Sequence, residues 1–232
     1  MAKKVFIGVG HGGADNGAVA NGLKEDNLNL AIALACRDEL VRHGVAVGMS
    51  RTRDENDPLA DEIRECNAFA PDFAVEIHNN AGGGDGVEIF HHFGGGKGKI
   101  LSQNILNEII ALGQNSRGLK TKKNSDGRDY FGWIRQTNAP ACLVECAFVD
   151  NKKDVAIIDT ATEQKKMGIA IAKGVLKTLD IKWKAPENAK APTTSEPSKK
   201  LYRVQVGAYS DLNNANAMLK KLKSAGFDGI IV

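Results

Sequence analysis

No stretch of the 232-residue chain approaches the roughly 20 consecutive apolar residues that a bilayer-spanning helix requires. A membrane span is therefore not expected, and the chain is expected to be made as a soluble cytoplasmic product. The apolar run Val5-Phe6-Ile7-Gly8-Val9 after Met1-Ala2-Lys3-Lys4 is too short for a signal-peptide core and has no small-residue cleavage site behind it. It is expected to form a first strand. Cysteine is sparse: Cys36, Cys66, Cys142 and Cys146 lack the spacing of a disulfide framework. Cys142 and Cys146 have no second pair nearby with which to bind a metal, so buried packing is the expected role. The formal charge of +3 lies on a background of 28 acids and does not make the concentrated basic field of a nucleic-acid binder. It is compatible with an anionic polymer as partner, but a small net charge ordinarily serves solubility.

With 42% hydrophobic and 25% charged residues the chain has the profile of a folded protein. Its length suits one domain of about 150 to 200 residues plus a small appendage. Apolar runs at Val5 to Val9, Val45 to Met49, Phe73 to Ile77, Val87 to Phe90 and Ala141 to Ala147 read as strands. Between and after them, Asn27 to His43, Leu59 to Phe69, Ile100 to Leu112 and Glu163 to Leu179 read as helices, most clearly where apolar residues recur at three- and four-residue spacing. The alternation predicts the α/β class: a twisted, mostly parallel sheet flanked by helices on both faces, with chemistry collected where strands end. A stretch rich in Pro, Ala, Ser, Thr and charge then separates residues 1–182 from 200–232, so 183–199 is expected to be a linker. In the last segment, a strand at 201–207, a helix at 213–225 and a strand starting at 230 predict a small C-terminal βαβ unit.

Two of the five histidines, His11 and His78, fall directly after strand-like runs, and Glu25 stands before the first long helix in a loop able to fold back beside His11. Two imidazoles and a carboxylate are the donor set of a zinc site that keeps a fourth position for water. Glu145 ends the apolar run Ala141-Cys142-Leu143-Val144, where an ionised acid is costly without a metal or partner. It suits a group that takes a proton from water and delivers it to a leaving amine. Glu76 shares a strand face with His78 and is a candidate to support it, or else a loosely paired strand acid. His43 beside Gly44 suits a helix C-terminus, and His91-His92 point to opposite sides of a strand. An isolated histidine near a turn commonly serves as a structural hydrogen bonder, and an acid at a helix start stabilises its dipole. On the residues alone, the triad and its structural alternative stay equally open.

Gly8-Val9-Gly10-His11-Gly12-Gly13 also satisfies G-x-G-x-x-G after a strand, as a dinucleotide-binding turn would. Such a turn opens directly into a helix, whereas here Gly, Asn and Asp continue to Gly22. The second strand ends in Met49-Ser50-Arg51 without a ribose-binding acid, which leaves only an NADP site on Arg51 or Arg53 as a weaker reading.

Taken together, Val9-Gly10-His11-Gly12-Gly13, Gly22-Leu23-Lys24-Glu25 with Asn29-Leu30, and Ser50-Arg51-Thr52-Arg53-Asp54 resemble the zinc amidase-3 family of N-acetylmuramoyl-L-alanine amidases. Leu59 through Arg64 with Asn67, Ile77-His78-Asn79-Asn80-Ala81, Arg117-Gly118-Leu119-Lys120, and Pro140 through Glu145 with Phe148 and Asn151 continue the agreement from about Lys4 to Leu179. The resemblance implies that His11, Glu25 and His78 bind Zn2+ and that Glu145 is catalytic, in an enzyme cutting the bond between N-acetylmuramic acid and L-alanine in peptidoglycan. The chain departs from the family pattern at Gly8-Val9, where Asp-Pro is usual, at Glu76, where Ser is common, and in Glu145-Cys146-Ala147-Phe148, where Gly often precedes the Phe.

Tyr202 through Tyr209, with Asn214-Ala215, Leu219, Leu222 and Ala225-Gly226-Phe227, resembles one half of the two-part sporulation-related peptidoglycan-binding domain. A single half has little core of its own, so it is expected to pair into a homodimer, to dock elsewhere or to stay partly disordered. The resemblance implies synthesis without a signal peptide and action on the wall after release by lysis or a holin. A competing class is a wall-binding protein that keeps the fold without activity; the intact His11, Glu25, His78 and Glu145 speak against it. Tyr130, Phe131 and Trp133 are expected to pack locally rather than line a groove.

Overall fold

The computed structural model describes residues 2–186 and 212–225. In chain order the elements are β1 (Lys4–Val9), β2 (Val19–Ala20), β3 (Leu23–Lys24), α1 (Glu25–Arg42), β4 (Ala46–Met49), α2 (Leu59–Phe69), β5 (Phe73–Asn80), β6 (Val87–His91), α3 (Lys97–Ile110), β7 (Ser116–Lys120), α4 (Gly132–Gln136), β8 (Ala141–Phe148), α5 (Lys152–Val155), α6 (Ala161–Thr178) and α7 (Leu212–Ser224). Residues 1–185 and 186–232 form two units. In the second, α7 covers most of the expected 213–225 helix, while the strands expected at 201–207 and from 230 lie outside the described residues.

Six strands make one sheet in the order β4-β1-β5-β8-β6-β7. The pairs β1–β4, β1–β5, β5–β8 and β6–β7 are parallel, and β6 runs antiparallel to β8. The reversal follows from chain length. Residues 81–86 between β5 and β6 are too few for the crossover of a dozen or more residues that a parallel return needs. The unexpected strand β7 is an edge strand whose residues are exposed or half-buried, so it never acquired the apolar run that marks the others.

Strand alternation splits the sheet's side chains between two covers. Val5, Ile7, Val9, Val75, Ile77, Cys142, Val144 and Cys146 pack with Leu28 and Ile32 of α1, Leu101 and Ile105 of α3, and Ile171 and Val175 of α6. Each fully buried aliphatic side chain there contributes about 1.5–3 kcal/mol relative to exposure. α6 lies between α1 and α3. A Cβ at Gly168 would overlap the Ile32 carbonyl, and one at Gly174 the Ile105 backbone, so these glycines set how closely the helices approach. α6 begins at Ala161, two residues before the expected start, because the Thr160 side chain accepts the Glu163 backbone N–H and caps it.

On the other face Phe6, Ala74, Ala141 and Leu143 pack against Ile63 and Cys66 of α2 and Trp133 and Ile134 of α4. Along the same face the strands then change character: Phe6 gives way to Gly8, Ala74 to Glu76 and His78, and Leu143 to Glu145. The apolar cover ends and polar chemistry begins at the C-terminal ends of β1, β5 and β8. All four cysteines are free and buried, including Cys142 and Cys146, for which buried packing was expected. Among the described residues no helix is long and apolar enough to cross a membrane.

Candidate metal centre

His11 follows β1, Glu25 opens α1 and His78 lies near the end of β5. Their side chains meet. One ligand atom from each lies within 4.8 Å of the others, and among the described residues these three form the group able to hold a metal ion. Glu25 is the bridge: its Oε2 is 3.3 Å from His11 Nε2 and its Oε1 is 2.9 Å from His78 Nδ1. Glu25 is the first residue of α1 rather than part of the preceding loop. The loop folds back to give the helix start its acceptors, with Ala18 O taking the Glu25 N–H and Asn16 O the Asp26 N–H.

The local backbone is shaped to admit these groups. A Cβ at position 10 would overlap the His78 ring, so only glycine lets β1 pass beside it. His11 adopts φ 62°, an uncommon left-handed conformation for a residue with a side chain. A reciprocal backbone pairing of Gly12 with Asp15 follows and brings Asp15 Oδ2 to 2.9 Å from His11 Nδ1. Buried Arg51 ties the segments together, donating to the carbonyls of Val9, Gly10 and Asp26. Backbone N–H groups of Ala18 and Asn79 donate to the two oxygens of Glu25, and Asn29 donates to Gly10 O. Asp15, Asn29 and Asn79 were not singled out as site groups in the sequence, because each acts through a fold-dependent contact rather than a spacing.

Burial opposes ionisation of Glu25, but the hydrogen bonds from His11 and His78 outweigh it and hold its carboxyl well below the usual range. Burial likewise opposes a charge on His78, and its contacts with Glu25 and Glu76 more than reverse that. Contact with Glu25 raises His11 against the opposing effect of burial. A cation between these groups has a carboxylate and two imidazoles ready to face it. Glu145 stands opposite His78 in the β5–β8 register, on the same face. Burial pushes its pKa up to about 7, with nearby His78 opposing, and its Oε2 is buried without a hydrogen-bond partner. An acid poised near neutrality beside a candidate metal site can exchange a proton with water and a leaving group.

Behind the centre lies a second acid, Glu62 of α2, which is 3% exposed. Ser50 Oγ donates to its Oε1 at 3.2 Å. Burial, then the Glu76 carboxylate, push its pKa up to about 10. The unfolded chain releases this proton near 4.5 and the folded one near 10, so the folded state binds more protons between those values and stability falls as pH rises. Glu62→Gln is expected to raise stability by about 1–3 kcal/mol at pH 7, with the gain vanishing below the ordinary carboxylate range. Urea unfolding of the two proteins at several pH values measures it; a gain independent of pH would contradict the assignment.

The remaining candidates take structural places. His43 caps α1, with Nδ1 2.8 Å from Glu39 O and Nε2 accepting the Lys184 N–H. His91 is buried and His92 pairs with Asp129, away from the triad's contacts. Trp133 is 1% exposed and packs on Phe6, Phe131 packs on Phe90, and Tyr130 is half exposed. The nucleotide reading fails: Arg51 spends its guanidinium on backbone carbonyls, the exposed Arg53 pairs with Glu55, and the glycine turn holds a histidine instead of opening a helix.

Comparison with known proteins identifies the family of the chain. The family model described as N-acetylmuramoyl-L-alanine amidase matches residues 5–177, and the SPOR domain model matches 172–232. N-acetylmuramoyl-L-alanine amidase CwlM of Bacillus licheniformis is 33% identical, over 99% of this chain and 84% of its own length. The endolysin of Bacillus phage SPP1 is 30% identical, over 96% of this chain and 86% of its own. Among solved structures, Cwp6 from Clostridium difficile superposes with a TM-score of 0.76 at 37% identity, covering 77% of this chain and 30% of that one. With a family match across most of its length and relatives aligned nearly end to end, the chain belongs to the N-acetylmuramoyl-L-alanine amidases and carries a SPOR domain at its C-terminal end.

Proposed function

We propose that His11, Glu25 and His78 hold a zinc ion and that Glu145 moves the protons, as this amidase hydrolyses the amide between the lactyl group of N-acetylmuramic acid and L-alanine in peptidoglycan. The observation that carries the reading is the convergence of three ligand atoms within 4.8 Å, with Glu145 beside His78 on the same sheet face. The donor set suits zinc: two imidazoles and a carboxylate, with each imidazole's other nitrogen turned toward a further carboxylate. Zinc held there supplies Lewis acidity, which acidifies water and polarises the amide carbonyl.

The chain's own residues do the rest. Glu145 takes a proton from the attacking water and delivers it to the departing alanine nitrogen, which leaves as an amine. Its burial keeps its affinity for a proton high enough to receive one and low enough to release it near neutrality. Glu25, fixed by two backbone N–H groups, keeps both imidazoles turned toward it.

In domain terms, residues 1–182 form the catalytic domain, 200–232 the wall-binding segment and 183–199 a linker whose first residues, Trp183 and Lys184, still pack on the catalytic domain. The SPOR match supports a hold on peptidoglycan, and the likeness to a phage endolysin supports delivery to the wall by lysis or through a holin. Among the described residues nothing speaks for pairing of two chains through that segment.

Incubation with purified peptidoglycan is expected to release new alanine amines without new reducing sugar. Reducing ends in place of amines would place the cut in the glycan. Sedimentation with the wall without any release would make the protein a binding module and end the catalytic reading.

A further inference from the structure

Glu76 is an acid in a position built for core. It is 2% exposed, follows Ala74 on its strand face, and lies across from Gly8 of β1 and Leu143 of β8. Burying a carboxylate costs several kcal/mol unless a partner offsets it. Its Oε1 is 3.5 Å from His78 Nε2, and its Oε2 has no hydrogen-bond partner. The room it occupies is made by another residue. A Cβ on Gly8 would overlap Glu76 Oε2 and would stand 3.1 Å from Trp133 Cη2. The chain thus forgoes a side chain at position 8 and admits a carboxylate that an apolar residue could replace to the benefit of packing.

The two imidazoles of the triad share one pattern. His11 turns Nε2 to Glu25 and Nδ1 to Asp15, and His78 turns Nδ1 to Glu25 and Nε2 to Glu76. Asp15 comes from an exposed loop and Glu76 from the interior. A carboxylate on the far nitrogen of a ligating histidine fixes its tautomer and orientation and makes the near nitrogen a stronger donor.

We propose that Glu76 is the positioning residue for His78, accepting its Nε2–H in the space left by Gly8 so that Nδ1 faces the metal. This rests on the reading of His78 as a metal ligand and deepens it. Glu76 acts through His78 and touches no substrate.

The test measures zinc affinity by competition with a chromophoric chelator, alongside melting of the metal-free proteins. Glu76→Gln, which keeps the volume and loses the charge, and Glu76→Ala are expected to weaken zinc binding about 10- to 100-fold. The metal-free melting temperature of Glu76→Gln is expected to stay level or rise, because an ill-paired buried charge has gone. Gly8→Ala is expected to weaken zinc binding in the wild-type background and to add nothing to Glu76→Ala, since the obstructed carboxylate is then absent. Zinc affinity within twofold of wild type in both Glu76 variants would overturn the proposal. So would a loss of affinity no greater than a matching loss of metal-free stability, which marks a packing role. If the wild-type protein itself binds no zinc, the metal reading falls and this inference with it. Normal wild-type binding with unaffected variants removes only the role of Glu76.

Discussion

Replacing Glu145 with alanine is expected to lower kcat by about 10²- to 10⁴-fold while zinc remains bound. The carboxylate lies on the face shared with His78 but is not among the three ligand groups that converge. Its removal therefore takes away proton transfer and leaves the donor set. The pH profile gives a second reading. Only the ionised form accepts a proton, so activity is expected to fall on the acid side as Glu145 is protonated. Burial raises that pKa to about 7, and a bound cation opposes burial by favouring the ionised form, so the limb lies at or below neutrality. Glu145→Gln is expected to be as slow as the alanine variant and to lack this limb. Steady-state amine release from pH 5 to 8, with bound zinc measured on the same samples, checks both statements. A Glu145→Ala enzyme within a few-fold of wild type would move the base elsewhere.

Glu25→Ala is expected to abolish zinc binding at micromolar metal and to reduce activity by about 10³-fold or more, the loss of several kcal/mol of charge stabilisation. The effect is broader than removal of one ligand because both imidazoles are oriented on Glu25 and the N–H groups of Ala18 and Asn79 donate to it. The metal-free protein reports this separately. The Glu25 pKa is depressed in the folded state, so its stabilisation is present above the ordinary carboxylate range and is lost as pH falls through the folded value. Glu25→Ala is thus expected to destabilise the metal-free protein by about 1–3 kcal/mol at pH 7 and by less in acid. Denaturant unfolding at pH 7 and pH 3 measures the difference. Unchanged zinc affinity would remove Glu25 from the metal site.

The α/β frame was legible because its signal is written in contiguous residues. Apolar runs such as Val5 to Val9 and Ala141 to Ala147 became central strands, and the helical stretches between them became α1, α2, α3 and α6. The edge strand β7 was missed because Ser116-Arg117-Gly118-Leu119-Lys120 is half solvated and carries no such run. The strand-end rule pointed to His11 and His78, the buried setting of an acid pointed to Glu145, and the residues alone left the grouping with Glu25 open until the family resemblance implied it; the structure brings His11, Glu25 and His78 into contact with Glu145 alongside. What supports them was hidden for a physical reason. Arg51 links carbonyls from β1 and α1, and Asp15 reaches His11 only because the loop reverses at Gly12. Gly8 and Glu76 show the limit most directly. Read one position at a time they are two unrelated departures from the family pattern; folded, they are cross-strand neighbours, and the atom missing from one makes the space for the other.

The most direct test of the account is a zinc titration of the metal-free protein, following bound metal and alanine-amine release from peptidoglycan on the same samples. Amine release that is absent without metal and rises in proportion to zinc, up to one ion per chain, is the predicted result. Undiminished release from the metal-free protein would contradict it.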